Sequence, residues 1–187
     1  LRLADQLRRR GFAVEVGYQP ERTQQEDPGE VDLICYCDGV VLLLEIKSGY
    51  VRTTPHEVWL HRKNTLRKAA RQLERKRPAV MRALIKDEAL RTRLGCADLR
   101  GDEQLHCWIV DTSIELDQQL IDGFLVVSLE TLHLILRDER QLLHRAEKAL
   151  DVINDTLFPD GFSPVRFTEV VATGAVWTTL DKSWSDP

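Results

Sequence analysis

The sequence predicts an α/β protein in which helices flank a mixed β-sheet. Three observations lead to this class: short apolar runs with the length of buried strands, an Asp-Gly pair between two of them, and helical stretches on either side. The apolar runs at 40–44 and 124–127 are far shorter than the roughly 20 residues that a membrane helix needs. With 187 residues, the chain is long enough for one domain with a sizeable core.

Hydrophobic periodicity and breaker residues place the individual elements. The elements predicted in chain order are a helix over 1–10, strands over 12–19, 31–37 and 40–48, a short edge strand over 58–61, helix over 64–94, strands over 105–110 and 124–128, and mostly helix over 129–154. Pro78 is expected to divide the long helical stretch into two helices or to kink it. Residues 167–180 are expected to pair as a strand or to lead into another domain. We therefore expect a domain over 1–155 and a C-terminal extension over 156–187.

The cysteines and histidines do not suggest a zinc site. The four cysteines, at 35, 37, 96 and 107, lack the paired spacing of zinc ligands, so we interpret them as free thiols of a cytoplasmic protein. The five histidines form no pair at metal-binding helical spacing. The tryptophans at 59, 108, 177 and 184 are interpreted as packing residues rather than as base-stacking platforms.

A two-residue turn at 38–39 sets the register of one hairpin. Asp-Gly between two apolar runs is the strongest short-range signal for such a turn. With a two-residue loop, Cys37 faces Val40, so Asp32 lies opposite Glu45 and both side chains leave the same face of the sheet. Directly opposed residues have Cβ atoms about 4.5–5.5 Å apart, so we expect two neighbouring carboxylates on a largely buried strand.

The same register places Glu30 opposite Lys47, on the face that carries Asp32 and Glu45. Like charges opposite each other destabilise a strand pair, and burial raises that cost. Lys47 is one compensating charge, and a divalent cation is the better one, because Mg²⁺ is commonly held by one or two carboxylates plus substrate phosphate. Such an ion binds a scissile phosphate and lowers the pKa of a water, which Lys47 could orient or activate. The carbonyl of Ile46 could complete the metal shell; without catalysis, these residues would form a buried ionic network.

These segments resemble a known nuclease superfamily. The Gly-Glu-Val-Asp segment at 29–32 and the Glu-Ile-Lys segment at 45–47 are similar to the PD-(D/E)XK motif of restriction endonucleases, Holliday junction resolvases and the nuclease-related domain (NERD). The Gly-Glu-Val-Asp form, and Trp59 in a short segment after the lysine, look most like NERD. The resemblance covers roughly residues 1–130, although its motif core is much shorter.

The resemblance implies a restriction-endonuclease-like three-layer sandwich with a central mixed sheet. It also implies hydrolysis of phosphodiester bonds, in DNA, with Mg²⁺ or Mn²⁺ as cofactor. Asp32 and Glu45 would be metal ligands and Lys47 the catalytic lysine of a nuclease domain over 1–155. Endonucleolytic and exonucleolytic action both fit the motif.

Two further positions of the superfamily pattern have candidates in this chain. Many members carry a polar residue on the helix after the Glu-x-Lys strand; Gln72, with Lys68 one turn earlier, fits that place, but Gln72 also reads as an ordinary surface glutamine. Many members carry a Glu on the first helix. Here Asp5 lies in that region, or the acid lies upstream of Leu1. Glu30 could add a second-sphere or second-metal carboxylate or simply pair with Lys47.

A basic segment follows the hairpin, although the net charge of the chain is −4. Residues 61–93 carry twelve Arg and Lys against three acids, a charge of +9, so the rest of the chain is at −13. We expect this segment to grip phosphates beside the cleft; the plainer interpretation is a solvated helix face. The candidate nucleic-acid-binding residues are Arg62, Lys63, Arg67, Lys68, Arg71 and Arg75.

Two alternatives to a nuclease remain open from the sequence. The first is a nucleic-acid-binding module that keeps the fold without turnover. The second is an interaction domain of a larger DNA-processing or defence protein, which could include a helicase.

Overall fold

The computed structural model describes residues 2–23, 27–96, 104–138 and 156–177. Its strands are β1 (Ala13–Tyr18), β2 (Val31–Cys37), β3 (Val40–Lys47), β4 (Gln104–Asp111), β5 (Leu120–Ile121) and β6 (Phe124–Ser128). Its helices are α1 (Arg2–Arg9), α2 (Pro55–Leu60), α3 (Arg67–Lys86), α4 (Glu88–Leu94), α5 (Leu129–Arg137) and α6 (Pro164–Thr173), and a π-helical segment (His61–Leu66) joins α2 to α3.

The described strands form one open, mixed sheet in the order β1-β2-β3-β4-β6-β5. β1, β2 and β3 are antiparallel neighbours, whereas β3, β4 and β6 run parallel. Parallel neighbours need a crossover, and α2 to α4 supply the one between β3 and β4. The predicted α/β class with a mixed sheet is therefore confirmed.

Helices cover both faces of the sheet. One core cluster joins α1, α5 and α6 to residues such as Leu42 and Leu44 of β3, and the other joins α3 and α4 to Val41 and Leu43. Side chains alternate between faces along a strand, so the odd-numbered positions of β3 project toward α3. Glu45 continues that row, which directs the candidate site toward the α3 layer.

The predicted turn and its register are confirmed. Asp38 and Gly39 have φ values of 41° and 81°, the positive pair that a type I′ turn requires. β2 and β3 pair from Cys37↔Val40 through to Leu33↔Leu44.

The short edge strand expected over 58–61 is wrong. These residues lie in α2 and the π-helical segment. The reason is local, because Thr54 accepts the Glu57 amide, Glu57 accepts the Thr54 amide in return, and Pro55 occupies the first turn. This capping box starts a helix, and its Thr-x-x-Glu signature is readable in the sequence.

Of the two outcomes expected at Pro78, the division into two helices is wrong. α3 continues through Pro78 to Lys86, and the break falls at Asp87, which caps α4 by accepting the Leu90 amide. A proline removes one intrahelical bond. Here the apolar stripe of α3 stays buried on both sides of it, as at Leu73 and Val80, and this packing maintains the helix.

The C-terminal stretch forms a helix over its described part rather than a strand. α6 begins after Ser163, which accepts the Arg166 amide. Phe167, Val170 and Val171 are fully buried at helical spacing. The helix expected over 129–154 is present as α5 up to Arg137, and most of the remainder lies outside the described residues.

Two expectations drawn from composition can be compared with the structure. All four cysteines are free, and Cys35 and Cys96 are buried. None of the helices in the described segments is long and apolar enough to cross a membrane.

Candidate active site

The candidate site lies where the parallel strands β3 and β4 end. In open α/β sheets ligands commonly bind beyond the carboxyl ends of the strands. Glu45 and Lys47 are the last odd-numbered residues of β3, and Lys47 pairs in register with Asp111, the last residue of β4. With Asp32 of β2 included, four charged side chains from three strands lie at this edge.

Glu45 is almost completely buried, with a relative exposure of 1%. Its carboxylate accepts from two ammonium groups. Lys47 Nζ lies 2.7 Å from Oε1, and Lys76 Nζ, from α3, lies 2.5 Å from Oε2. A buried carboxylate is costly unless it is paired and hydrogen-bonded, and these two lysines meet that requirement.

Asp32 accepts a hydrogen bond from a backbone amide at the point where the β2–β3 pairing ends. The last paired position is Leu33↔Leu44, and beyond it the Ile46 amide donates to Asp32 Oδ2 at 2.7 Å. Burial raises the pKa of Asp32 above its usual value, the Ile46 amide opposes that shift, and the nearby charge of Glu45 adds to it. The two carboxylates therefore interact electrostatically across the hairpin, as the register predicts.

Glu30 and Asp5 lie apart from this cluster. Glu30 is exposed, and its Oε2 accepts from Gln19 Nε2 at 2.9 Å, while Lys47 pairs with Glu45 instead. Asp5 is exposed on α1 and pairs with Arg8 at 3.2 Å. The buried side of α1 packs on the sheet face opposite to Glu45.

Gln72 lies on the same ridge of α3 as the lysine that reaches Glu45. Residues 68, 72 and 76 follow at intervals of four, so their side chains lie above one another along the helix. Gln72 is half-buried, and its Oε1 is a buried oxygen with no hydrogen-bond partner in the described structure. An orphan acceptor of this kind is costly and points to an unfilled interaction on the ridge beside the site.

The six candidate nucleic-acid-binding residues are all exposed. Arg67 has a partner, Asp122, at 3.9 Å, and Lys63 Nζ lies over the ring of Trp59, 4.6 Å from its centroid. The exposed residues are Arg62, Lys63, Arg67, Lys68, Arg71 and Arg75.

Lys76 is a site residue that the sequence interpretation missed. It is 2% exposed, whereas the basic candidates chosen from the same helix are at the surface. A signal was present, since the buried stripe of α3 leaves a gap between Leu73 and Val80 that a residue at 76 or 77 must fill. A charged residue on a buried stripe indicates a buried ionic partner.

A second polar cluster, also missed, holds the segment that follows Lys47. Asp111 is fully buried, and its Oδ2 lies 2.6 Å from His61 Nε2 and accepts from Ser113 Oγ at 2.9 Å. Arg52 donates from Nη1 to Ser113 Oγ at 2.5 Å and pairs with Glu115 at 3.4 Å. The cluster joins the loop after β3 and the start of the π-helical segment to the end of β4.

The donor set fits a hydrated divalent cation. Mg²⁺ uses one or two carboxylates and keeps several waters, and Asp32 and Glu45 supply two carboxylates. No group of three or more His, Cys, Asp or Glu side chains within the described ranges is arranged to hold a metal, so carbonyls and water would complete the shell. The unpaired oxygen of Gln72 suits a water of such a shell.

Comparison with known proteins yields no family for this chain. No protein-family profile matches the sequence, and no curated protein is significantly similar to it.

Proposed function

We propose that this chain is a nuclease domain that hydrolyses phosphodiester bonds in DNA with Mg²⁺ or Mn²⁺. The proposal includes the finer fold assignment, a restriction-endonuclease-like sandwich of the PD-(D/E)XK superfamily that most resembles the nuclease-related domain. The observation that carries it is the convergence of Asp32, Glu45 and Lys47 at one edge of the sheet. Their spacing and strand positions are those of the superfamily motif.

Each residue of the hairpin has a distinct role in this proposal. Asp32 and Glu45 hold the cation, and the carbonyl of Ile46 adds a ligand. A bound Mg²⁺ or Mn²⁺ supplies positive charge to the phosphate and lowers the pKa of a water. Lys47, already directed at Glu45, orients the attacking water and stabilises the charge that develops on the phosphate.

Residues of α3 and the π-helical segment complete the proposed site. Lys76 holds Glu45 from the helix side, and Gln72 positions water on the neighbouring turn. The exposed basic residues between 62 and 75 bind the DNA backbone, as a phosphate-facing surface does. Asp5 and Glu30, which lie apart, receive no role in the chemical step.

A cleavage assay with matched variants tests the function. Plasmid, duplex, single-stranded DNA and RNA are incubated with Mg²⁺, with Mn²⁺ or with EDTA. We expect metal-dependent cleavage that falls at least about 100-fold in Lys47→Ala and in Asp32→Ala, since positioned charge and proton-transfer groups contribute on that scale. Lys86→Ala and Glu130→Gln remove exposed charges elsewhere and should retain activity. Cleavage that survives in both hairpin variants would overturn the assignment.

A further hairpin variant, Asp32→Asn, allows a direct test of metal binding. Calorimetric titration with Mn²⁺ should give saturable binding to the wild type and none to Asp32→Asn. A cation at 100 times its dissociation constant should stabilise the fold by about 2.7 kcal/mol. Absence of both effects contradicts the proposed metal site whatever the cleavage result.

A second candidate, a non-catalytic nucleic-acid-binding or interaction domain, is favoured by one observation. Both carboxylate oxygens of Glu45 already accept from lysine ammonium groups, an arrangement that is satisfied without a cation. Nucleic-acid binding without Mn²⁺ binding and without cleavage would support this candidate over the nuclease.

A further inference from the structure

An exposed aromatic and basic strip runs along α2 and into the π-helical segment. His56, Trp59 and Lys63 follow at intervals of three and four, so they share one helix face, and all three are exposed. The Trp59 ring is 51% exposed, stacks on the His56 ring with centroids 5.8 Å apart, and has the Lys63 ammonium 4.6 Å from its centroid. The expectation that Trp59 is a packing residue is therefore wrong, whereas Trp108 is buried as expected.

This strip is held in place at two points. The capping box of Thr54 and Glu57 fixes the start of α2. Two residues beyond Trp59, buried His61 bonds to buried Asp111, which pairs in register with Lys47. An indole with half of its surface in water is thus presented on an ordered helix that is attached to the edge of the candidate site.

The charge around the indole suits an anionic polymer. Residues 58–73 contain five Arg and Lys and no acid. Their side chains are exposed, so phosphates can approach them. An aromatic face next to a row of cations is the combination that binds single strands, in which bases stack on rings and the backbone follows the charge.

A second exposed ring lies on the loop between β3 and α2. Tyr50 is 70% exposed. The loop beneath it is anchored by Arg52, whose guanidinium is 5.9 Å from the Tyr50 ring centroid and bonds to Ser113. Tyr50 follows Lys47, the last residue of β3, by three positions in the chain.

We propose that Trp59 is the base-stacking platform of a single-stranded DNA site, with Lys63 as its phosphate partner and Tyr50 as a second ring. An unpaired base that takes the place of the Lys63 ammonium over the indole leaves that ammonium free for the adjoining phosphate. Base faces inside a duplex are already stacked, so the platform selects single-stranded or splayed DNA. That single-stranded DNA is the substrate of the active site rests on the proposed nuclease function. That the strip binds single-stranded DNA does not depend on it.

Binding in EDTA tests the platform without cleavage. Fluorescence anisotropy measures the affinity of the full chain for three labelled probes of equal length: single-stranded oligothymidine, a blunt duplex, and an abasic single strand that keeps the phosphates. We expect Trp59→Ala to weaken oligothymidine binding about 5- to 100-fold and to change abasic and duplex binding less than twofold. Trp59→Phe, which keeps a ring, should recover most of the affinity.

Control variants separate stacking from general effects. Ile85→Ala removes another exposed apolar side chain, 67% exposed on α3, and should leave all three affinities unchanged. Lys63→Ala should weaken oligothymidine and abasic binding alike, because it removes a phosphate contact. Tyr50→Ala should resemble Trp59→Ala with a smaller loss.

The outcomes distinguish this inference from the proposed function. The platform is overturned if Trp59→Ala weakens the binding of oligothymidine and of the abasic strand equally, or if it weakens neither. Failure of the wild type to bind any probe overturns it as well. A wild type that is dimeric by light scattering, with a monomeric Trp59→Ala, would place a second copy on the strip and also overturn it. Selective loss on oligothymidine supports the platform even if Mg²⁺ yields no cleavage, in which case the nuclease proposal alone fails.

Discussion

The interaction between Glu45 and Lys76 determines the character of the site at the residue scale. Both side chains are at most 3% exposed, and they come from a strand and a helix 31 positions apart. Breaking a buried pair by removing one partner leaves an uncompensated charge. Lys47 alone would then have to compensate Glu45.

We predict that Lys76→Met lowers the free energy of unfolding by about 3 kcal/mol. Methionine keeps the unbranched apolar stem of the side chain but removes the ammonium group, so Glu45 Oε2 loses its donor. Urea denaturation at neutral pH without metal provides the measurement. Adding Glu45→Gln to Lys76→Met should recover part of the loss, because the unpaired charge is then gone.

Lys86→Met is the matched control for this prediction. It removes an exposed lysine of the same helix and should change stability by less than about 0.5 kcal/mol. If Lys76→Met behaved like the control, the ion pair between α3 and β3 would not be formed in solution.

At the scale of elements, one side-chain pair joins the edge strand β1 to the start of α4. Tyr18 Oη donates to Asp87 Oδ2 at 2.9 Å, and Asp87 Oδ1 accepts the Leu90 amide. The Leu90 amide, with the Tyr18 hydroxyl, holds the pKa of Asp87 below its usual range. Burial and this carboxylate raise the pKa of Tyr18 to about 12, so the phenol remains a donor at neutral pH.

We predict that Asp87→Ala destabilises the protein by about 1 kcal/mol at neutral pH, as the loss of a helix cap does. A carboxyl group with a lowered folded pKa stabilises above its unfolded value of about 3.9, and that contribution is lost as pH falls through the folded pKa. The difference between wild type and variant should therefore shrink below about pH 4. Urea midpoints measured from pH 3 to 7 give this profile.

Asp87→Asn separates the cap from the charge in that experiment. Asparagine caps helices about as well as aspartate but does not titrate, so its stability at neutral pH should be close to that of the wild type. A difference between wild type and Asp87→Ala that is constant from pH 3 to 7 would contradict the role of the charge.

At the scale of the whole molecule, α6 closes one of the two cores. Phe167 is fully buried, with its ring centroid 5.8 Å from that of Phe12 and 5.9 Å from that of Trp108. These contacts join the described C-terminal helix to β4 and to the residue that precedes β1. The core cluster thus includes side chains from near both ends of the described chain.

We predict that Phe167→Ala destabilises the whole domain by about 3–5 kcal/mol, as expected for the loss of a buried aromatic side chain. Unfolding should remain one cooperative transition, because the ring belongs to the same core as the sheet. Calorimetry and urea denaturation monitored by tryptophan fluorescence provide the test. Val165→Ala, at a side chain 39% exposed on the same helix, should cost less than about 1 kcal/mol. A separate transition for α6 in the variant or the wild type would show that it folds apart from the sheet.

The sequence by itself determined the hairpin. The turn at 38–39 is local chemistry, since Asp-Gly adopts the two positive φ values that a tight turn needs. The side-chain period of a strand is two, so the turn alone decides which residues share a face. For this reason the grouping of Asp32, Glu45 and Lys47 was predictable without any other part of the chain.

Only the tertiary structure decided which distant groups join that hairpin. Lys76 of α3 pairs with Glu45, and His61 of the π-helical segment bonds to Asp111, whereas Trp59 of α2 remains exposed. These contacts depend on the angle and depth of helix packing, which local periodicity does not specify. The sequence identifies a charged residue on a buried stripe, but only the packed helix identifies its partner.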